Sequence, residues 1–343
     1  MASPDRPALV LVCWLLHAVV LTVPAPSRPG SEAAGPGPRN AHAAVYDLRD
    51  SAIVLFGGAT EAEVRGDTWR WKGGNWRRLP IAGPAPRTFP AMAYDSARAE
   101  VVLFGGNRVL FGDSTGPVAL LGDTWVLRDG GWLRMAVEGP SPRAEAAVAY
   151  DAGRRTTVLF GGYHVSEDGA RSRLGDTWEW DGRRWTSASV TGPSPRSGAA
   201  MAYDPGLGTV VLFGGSGGPL GDTWSWDGRE WKRLAVPLAP GRFNTVMTLD
   251  PASRRLVRFG GWTGETRASD TWELHGSGWV RTDDGGPAGR NHATLVSAPH
   301  RGSVLLYGGH DGDHVFGDLW ERRHGGWVRL EAAGALPRVP NGH

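Results

Sequence analysis

The chain has 343 residues, of which 21% are charged, and Lys+Arg 37 against Asp+Glu 35 leaves a formal net charge of only +2. No basic run is present, which argues against nucleic acid as a partner. The one cysteine, Cys13, lies near the N-terminus, so the body can form neither a disulfide nor a thiolate metal site; the chain has 17 tryptophans, all but Trp14 in the body, and they must supply much of the packing area.

In chain order, the first element is the charge-free apolar run Ala8 to Val23, followed by Pro24-Ala25-Pro26-Ser27. A membrane span needs about 18 to 20 residues, so this shorter run reads as the apolar core of an export signal, cleaved or kept as an anchor. A start further downstream would instead give a cytoplasmic protein. Residues 1–25 are assigned to the signal or anchor and 26–37, rich in Pro, Gly and Ala, to a spacer.

From residue 38 one pattern recurs six times. Pro-Arg or Gly-Arg opens a strand that is mostly small residues, a β-branched run ends in a diglycine, and Gly-Asp-Thr-Trp (with Ser269 for Gly in the fifth copy and Leu319 for Thr in the sixth) precedes a second Trp. The arginines are Arg39, Arg87, Arg143, Arg196, Arg242 and Arg290. From each to its diglycine is 18 residues, from the Asp to the second Trp nine, and from that Trp to the next Arg 11. The gap between diglycine and Asp alone varies, with 8, 16, 13, 6, 8 and 8 intervening residues.

Each copy reads as four short strands. Strand A is the small-residue alternation (Ala41 to Tyr46), strand B the run Ile53 to Phe56, strand C carries Asp-Thr-Trp (Asp222 to Trp226), and strand D starts at the second Trp. Asp181-Gly182 and Asp227-Gly228 fit tight C–D hairpin turns. Four-stranded meanders repeated about an axis form a β-propeller, with the small-residue strand innermost. The fold class is therefore all-β, a six-bladed propeller with blades near 38–85, 86–141, 142–194, 195–240, 241–288 and 289–336. Residues 337–343 begin a seventh copy and stop, so closure without an exchanged strand is expected.

The hydrophobic-Gly-Gly end of strand B and the spaced aromatics of C and D resemble the kelch repeat. The Trp of Gly-Asp-Thr-Trp, where kelch repeats often have Tyr, resembles the galactose-oxidase-like branch. The resemblance covers residues 38 to 336 and implies partner binding through the face formed by B–C loops and D–A linkers. All length variation lies in the B–C loops, on that same face. The longest are Asn107 to Gly122 and Tyr163 to Gly175.

At the channel mouth on this face the six arginines are candidate ligand-binding residues, a guanidinium ring suited to carboxylate or sulfate. The competing reading has them bonding neighbouring loop carbonyls. His42 and His292 join them as candidates. Phe111, Tyr163, His164, Trp262, His310, Asp311 and His314 are candidates on the loops. The histidines, with Asp311 and Asp313, are residue types that an acid–base or metal cluster uses, but their spacing fits no ligand motif, so no metal and no cofactor is expected.

No catalytic residue is assigned. The missing body cysteine excludes a copper radical oxidase of the galactose oxidase type, whose cofactor the resemblance would otherwise imply. The expected function is recognition of a protein or glycan by a monomer that meets a membrane only through an uncleaved N-terminal segment. The alternative is a sugar- or small-molecule-modifying enzyme, isomerase-like or mutarotase-like, acting at the channel mouth.

Overall fold

The computed structural model describes residues 35–110, 119–282 and 285–330. The expectations for the leader, for Phe111 and for residues 337–343 lie outside the described residues. Six four-stranded antiparallel sheets follow one another in chain order, each a meander from innermost strand A to outermost strand D. The first comprises Ala43–Asp47, Ala52–Phe56, Thr68–Lys72 and Asn75–Leu79. The inner strands of the other blades are Ala91–Asp95, Ala147–Asp151, Ala200–Asp204, Val246–Asp250 and Thr294–Ala298. Each inner strand touches the next, and that of blade six touches that of blade one. The ring is a closed six-bladed β-propeller in which every described blade takes its four strands from one continuous segment. No helix among the described residues is long and apolar enough to cross a membrane.

Local chemistry explains the repeat. The Asp ending strand A accepts backbone N–H groups of the following turn, as Asp47 does from Arg49 at 3.0 Å and Asp95 from Ala97 at 3.0 Å. In blade six Ala298 replaces that Asp, and a short 3-10 turn, Pro299–Arg301, takes over the connection. Strand B is almost wholly buried, since it has blades on both faces. The first glycine of the diglycine lies at positive φ, and a Cβ on Gly57 would stand 2.7 Å from the carbonyl oxygen of Arg87 in the next blade.

Blades are joined by aromatic packing. The Phe closing strand B meets the second Trp of the next blade edge-on, as in Phe56 with Trp132 and Phe160 with Trp231, at centroid distances of 5.5 and 5.3 Å. Across the closure, Tyr307 of blade six replaces that Phe and packs on Trp76 of blade one at 5.1 Å. Residues of blades one and six share one core there, including Ile53, Leu55, Trp71, Leu305 and Tyr307.

The long B–C connections are partly strand. In blade two Glu100–Asn107 and Leu120–Arg128 extend the ladder past a bulge at the diglycine, and in blade three Tyr163–Val165 pairs with Arg171–Arg173 in a separate hairpin.

Candidate functional site

The six arginines turn into their own blades. Arg39 is 1% exposed, grips the carboxylate of Asp67 with both terminal nitrogens (2.8 and 3.2 Å) and donates to the Gly57 carbonyl at 3.0 Å. The pairs Arg87–Asp123, Arg143–Asp176, Arg196–Asp222 and Arg290–Asp318 repeat the arrangement, each with a bond to its diglycine carbonyl. Arg242 departs from it, reaching Asp270 at 2.8 Å but bonding the carbonyl of Gly241. The guanidinium ring expected at the channel mouth is thus not formed. A partly buried carboxylate and a backbone carbonyl stand within reach of every arginine, and pairing with both satisfies the guanidinium inside the blade. The fixed 18-residue spacing is the signature of this clamp.

The mouth is built instead by the residues just after each arginine and just after each diglycine. Two positions past the arginine the chain takes a left-handed conformation in every blade: Ala41, Phe89, Glu145, Gly198, Asn244 and His292 all have φ between 53° and 61°. Backbone bonds link these residues around the axis, from Ala41 N to His292 O at 2.9 Å, Phe89 N to Ala41 O at 2.7 Å, Gly198 N to Glu145 O at 3.0 Å and Asn244 N to Gly198 O at 2.7 Å. One position earlier, the chain pairs with the residue following the diglycine, as in Thr88 with Asn107, Ala144 with Tyr163, Phe243 with Trp262 and Asn291 with His310. Ser197 and Ser216 form the corresponding pair in blade four.

Two polar groups stand out. In blades three and four, Ser197 Oγ donates to Glu145 at 2.8 Å and lies 3.0 Å from Ser216 Oγ, which also accepts from Arg173 Nε at 3.0 Å. Burial raises the Glu145 carboxyl above its ordinary value, against the opposing effects of Ser197, Arg171 and Arg173. Tyr163 lies beside it under the Arg171 guanidinium (5.1 Å to the ring centre), and burial and Glu145 push its hydroxyl up to about 12. In blade six, which is opposite blade three in a six-membered ring, His292 Nδ1 and His310 Nε2 are 3.0 Å apart. Burial and the nearby Arg267 hold His310 down to about 4. His292 is also held well below its ordinary value, by burial first and then by His310 and Arg267, so both rings are neutral near pH 7. Phe89 meets His292 edge-on at 4.8 Å, reaching across the small Ala41.

Of the sequence candidates, His292, His310, Tyr163 and Trp262 come to the mouth. Trp262 is half-buried beneath Arg267 at 4.9 Å. His42 does not join His292. It is 5% exposed between blades one and six, with Nε2 2.9 Å from Thr294 Oγ1 and its ring edge-on to Tyr307. His164 Nδ1 lies 3.1 Å from the carbonyl oxygen of Pro142, in its own linker. Asp311 caps its own loop by accepting from Asp313 N and His314 N at 2.9 and 2.7 Å, and His314 stays exposed beside it. Among the described residues no group of three or more His, Cys, Asp or Glu is arranged to hold a metal ion.

Sequence reasoning missed Phe89, Glu145, Ser197, Ser216, Asn244, Asn291 and Arg267. A signal for most of them exists inside the repeat: between the invariant Arg and strand A, and directly after the diglycine, the six copies stop resembling one another. Structural positions repeat because every blade needs them; the mouth positions are free to differ.

The chain matches no family model and no curated protein. Among solved structures, the one described as "Structure of YjhT" superposes with a TM-score of 0.64 at 15% sequence identity, covering 87% of this chain and 99% of that one. The likeness is one of fold.

Proposed function

We propose that this chain is an exported, kelch-type propeller that recognises a carbohydrate through the channel mouth on the B–C and D–A face. The observation that carries the reading is the convergence there of unlike residues from six otherwise repetitive blades. Half-buried aromatics, amides, serines, a carboxylate and imidazoles supply the mix of apolar faces and donor–acceptor groups that a polyhydroxylated ligand requires. A flat protein partner would call for an exposed apolar patch on the loops. Among the described residues the exposed large apolar side chains are Leu133, Val190, Leu207, Leu238, Val280 and Val328, and none lies in a described part of a B–C loop.

The test is a glycan array probed with the purified propeller and with Glu145→Ala and Asn244→Ala variants. A shared set of glycan hits, lost in both folded variants, supports the reading. Absence of any hit, or hits retained by both variants, overturns it.

One observation favours a second reading, an isomerase acting on sugars. A carboxyl raised by burial and a neutral imidazole pair stand on opposite blades of one mouth, as proton transfer to and from a single bound sugar would need. Polarimetry of free reducing sugars tests this. Faster mutarotation that disappears in Glu145→Gln, while binding persists, would establish it.

A further inference from the structure

We propose that the central bore is a second binding site, specific for an uncharged, apolar small molecule and entered from the face that carries the A–B turns. The bore has a volume of about 330 Å³ and is walled by the inner strands of all six blades. That volume falls at the lower end of the range typical of small-molecule pockets.

Its lining excludes most ligand chemistry. In a chain that is 21% charged, no Asp, Glu, Lys, Arg or His side chain lines the bore. At the second position of the inner strands stand Ala44, Met92, Val148, Met201, Met247 and Leu295. Three flexible thioether side chains in one apolar wall suit occupants of irregular shape. An ion would lose its hydration there without compensation; the hydroxyls of Tyr46, Tyr94, Tyr150 and Tyr203 also belong to the lining, and an apolar molecule gains burial against the rest of it.

The lining of the bore reaches the A–B turns and stops short of the mouth residues. On the mouth side the backbone bonds joining Glu145, Gly198 and Asn244, and those joining His292, Ala41 and Phe89, draw the blades together, with the Phe89 and His292 rings in contact over the axis-facing Ala41. At the other end the lining reaches Leu48, Ser96, Ala152 and Pro299, which belong to the A–B turns. None of the mouth residues lines the bore, so the two are distinct sets of side chains.

The probe for the test is N-phenyl-1-naphthylamine, a neutral apolar dye whose fluorescence rises on leaving water. Titration into the propeller should give a saturable enhancement with one site per chain, competed by n-octanol but not by glucose. Ala44→Phe, which fills the bore, should weaken binding at least tenfold while the near-ultraviolet circular dichroism of the tryptophans is unchanged. Should that variant fail to fold, Thr248→Phe serves in its place, since Thr248 is a half-buried member of the lining. Glu145→Ala should bind the dye as the unaltered protein does, because Glu145 is not among the residues that line the bore. A titration without saturation, undiminished affinity in a folded bore-filling variant, or loss of binding in Glu145→Ala would each overturn the proposal.

Discussion

The indole nitrogen of Trp132 donates to the hydroxyl of Thr68 at 2.9 Å, across the junction between blades two and one. The bond recurs as Trp185 to Thr124, Trp231 to Thr177, Trp279 to Thr223 and Trp327 to Thr271. This is why Asp is followed by Thr in the repeated Asp-Thr-Trp: the hydroxyl satisfies a polar atom that the next blade has to bury. At the closure Leu319 occupies the Thr position, and Trp76 packs instead on Tyr307. Thr124→Val keeps the shape but strands the Trp185 N–H, at a cost of about 1 to 3 kcal/mol. Urea unfolding checks it; an unchanged midpoint would mean that the bond contributes nothing.

A second prediction concerns the arginine clamps. Arg196 is buried and Asp222 partly so, and removing the arginine takes away charge-assisted bonds, so Arg196→Ala should destabilise by roughly 1.5 to 3 kcal/mol. Arg196→Lys should recover little, because an ammonium cannot span both oxygens of Asp222 and the Gly214 carbonyl. Stability within 1 kcal/mol of the unaltered protein in both variants would contradict the clamp. A ligand-binding arginine would instead lose affinity with little change in the melt.

Arg258 invites the opposite substitution. It is fully buried in strand B of blade five, where the other blades carry leucine (Leu55, Leu103, Leu159, Leu212 and Leu306). Its guanidinium lies against Phe213, Trp272 and Trp279 at 4.3, 4.8 and 5.2 Å, and none of its nitrogens is hydrogen-bonded. Burial pushes its pKa down to about 9. Replacing buried charge by a leucine that fits should stabilise, by about 1 to 4 kcal/mol on the precedent of buried ion pairs. Thermal melts of Arg258→Leu decide the sign, and a lower midpoint would show that the cation–aromatic contacts outweigh the desolvation.

Acid sensitivity should come from two classes of group. Burial lowers His42 to about 3, with Arg39 adding to the effect. An unfolded histidine titrates near 6.5, so the unfolded chain binds more protons between these values. Stability from His42 is therefore full above about pH 6.5 and falls as pH drops, by about 3 kcal/mol at pH 4. At Asp67 burial acts upward, but the Arg39 bond and charge prevail and hold the carboxyl below its ordinary value; Asp222 with Arg196 behaves likewise. Their contribution is lost only below about pH 4. His42→Gln should flatten the decline between pH 6.5 and 4 and leave the steeper fall below it. An identical profile in that variant would exclude His42 as its source.

Much of the architecture was legible because it is repeated. Strand A begins at Ala43 rather than Ala41, since Ala41 sits at positive φ in the mouth ring, but the four strands of each blade and their order follow from spacing alone. The long loops were legible as positions, not as shapes: Arg171–Arg173 carries little of the β-branched pattern that marks the other strands. Both readings of the arginines were open in the sequence, because a cation before a strand looks the same whether it faces solvent or a carboxylate 28 residues away.

The recurring spacings already identify six equivalent four-strand units, each with an apolar face that only a neighbour can cover; that the sixth meets the first is seen only in the contact between their inner strands. The tertiary structure alone decided where each polar group points. It turned the six arginines inward, parted His42 from His292, and set Glu145 and the His292–His310 pair on opposite blades. Burial and pairing are properties of three-dimensional neighbours, and for these residues the decisive neighbours lie in other strands or other blades.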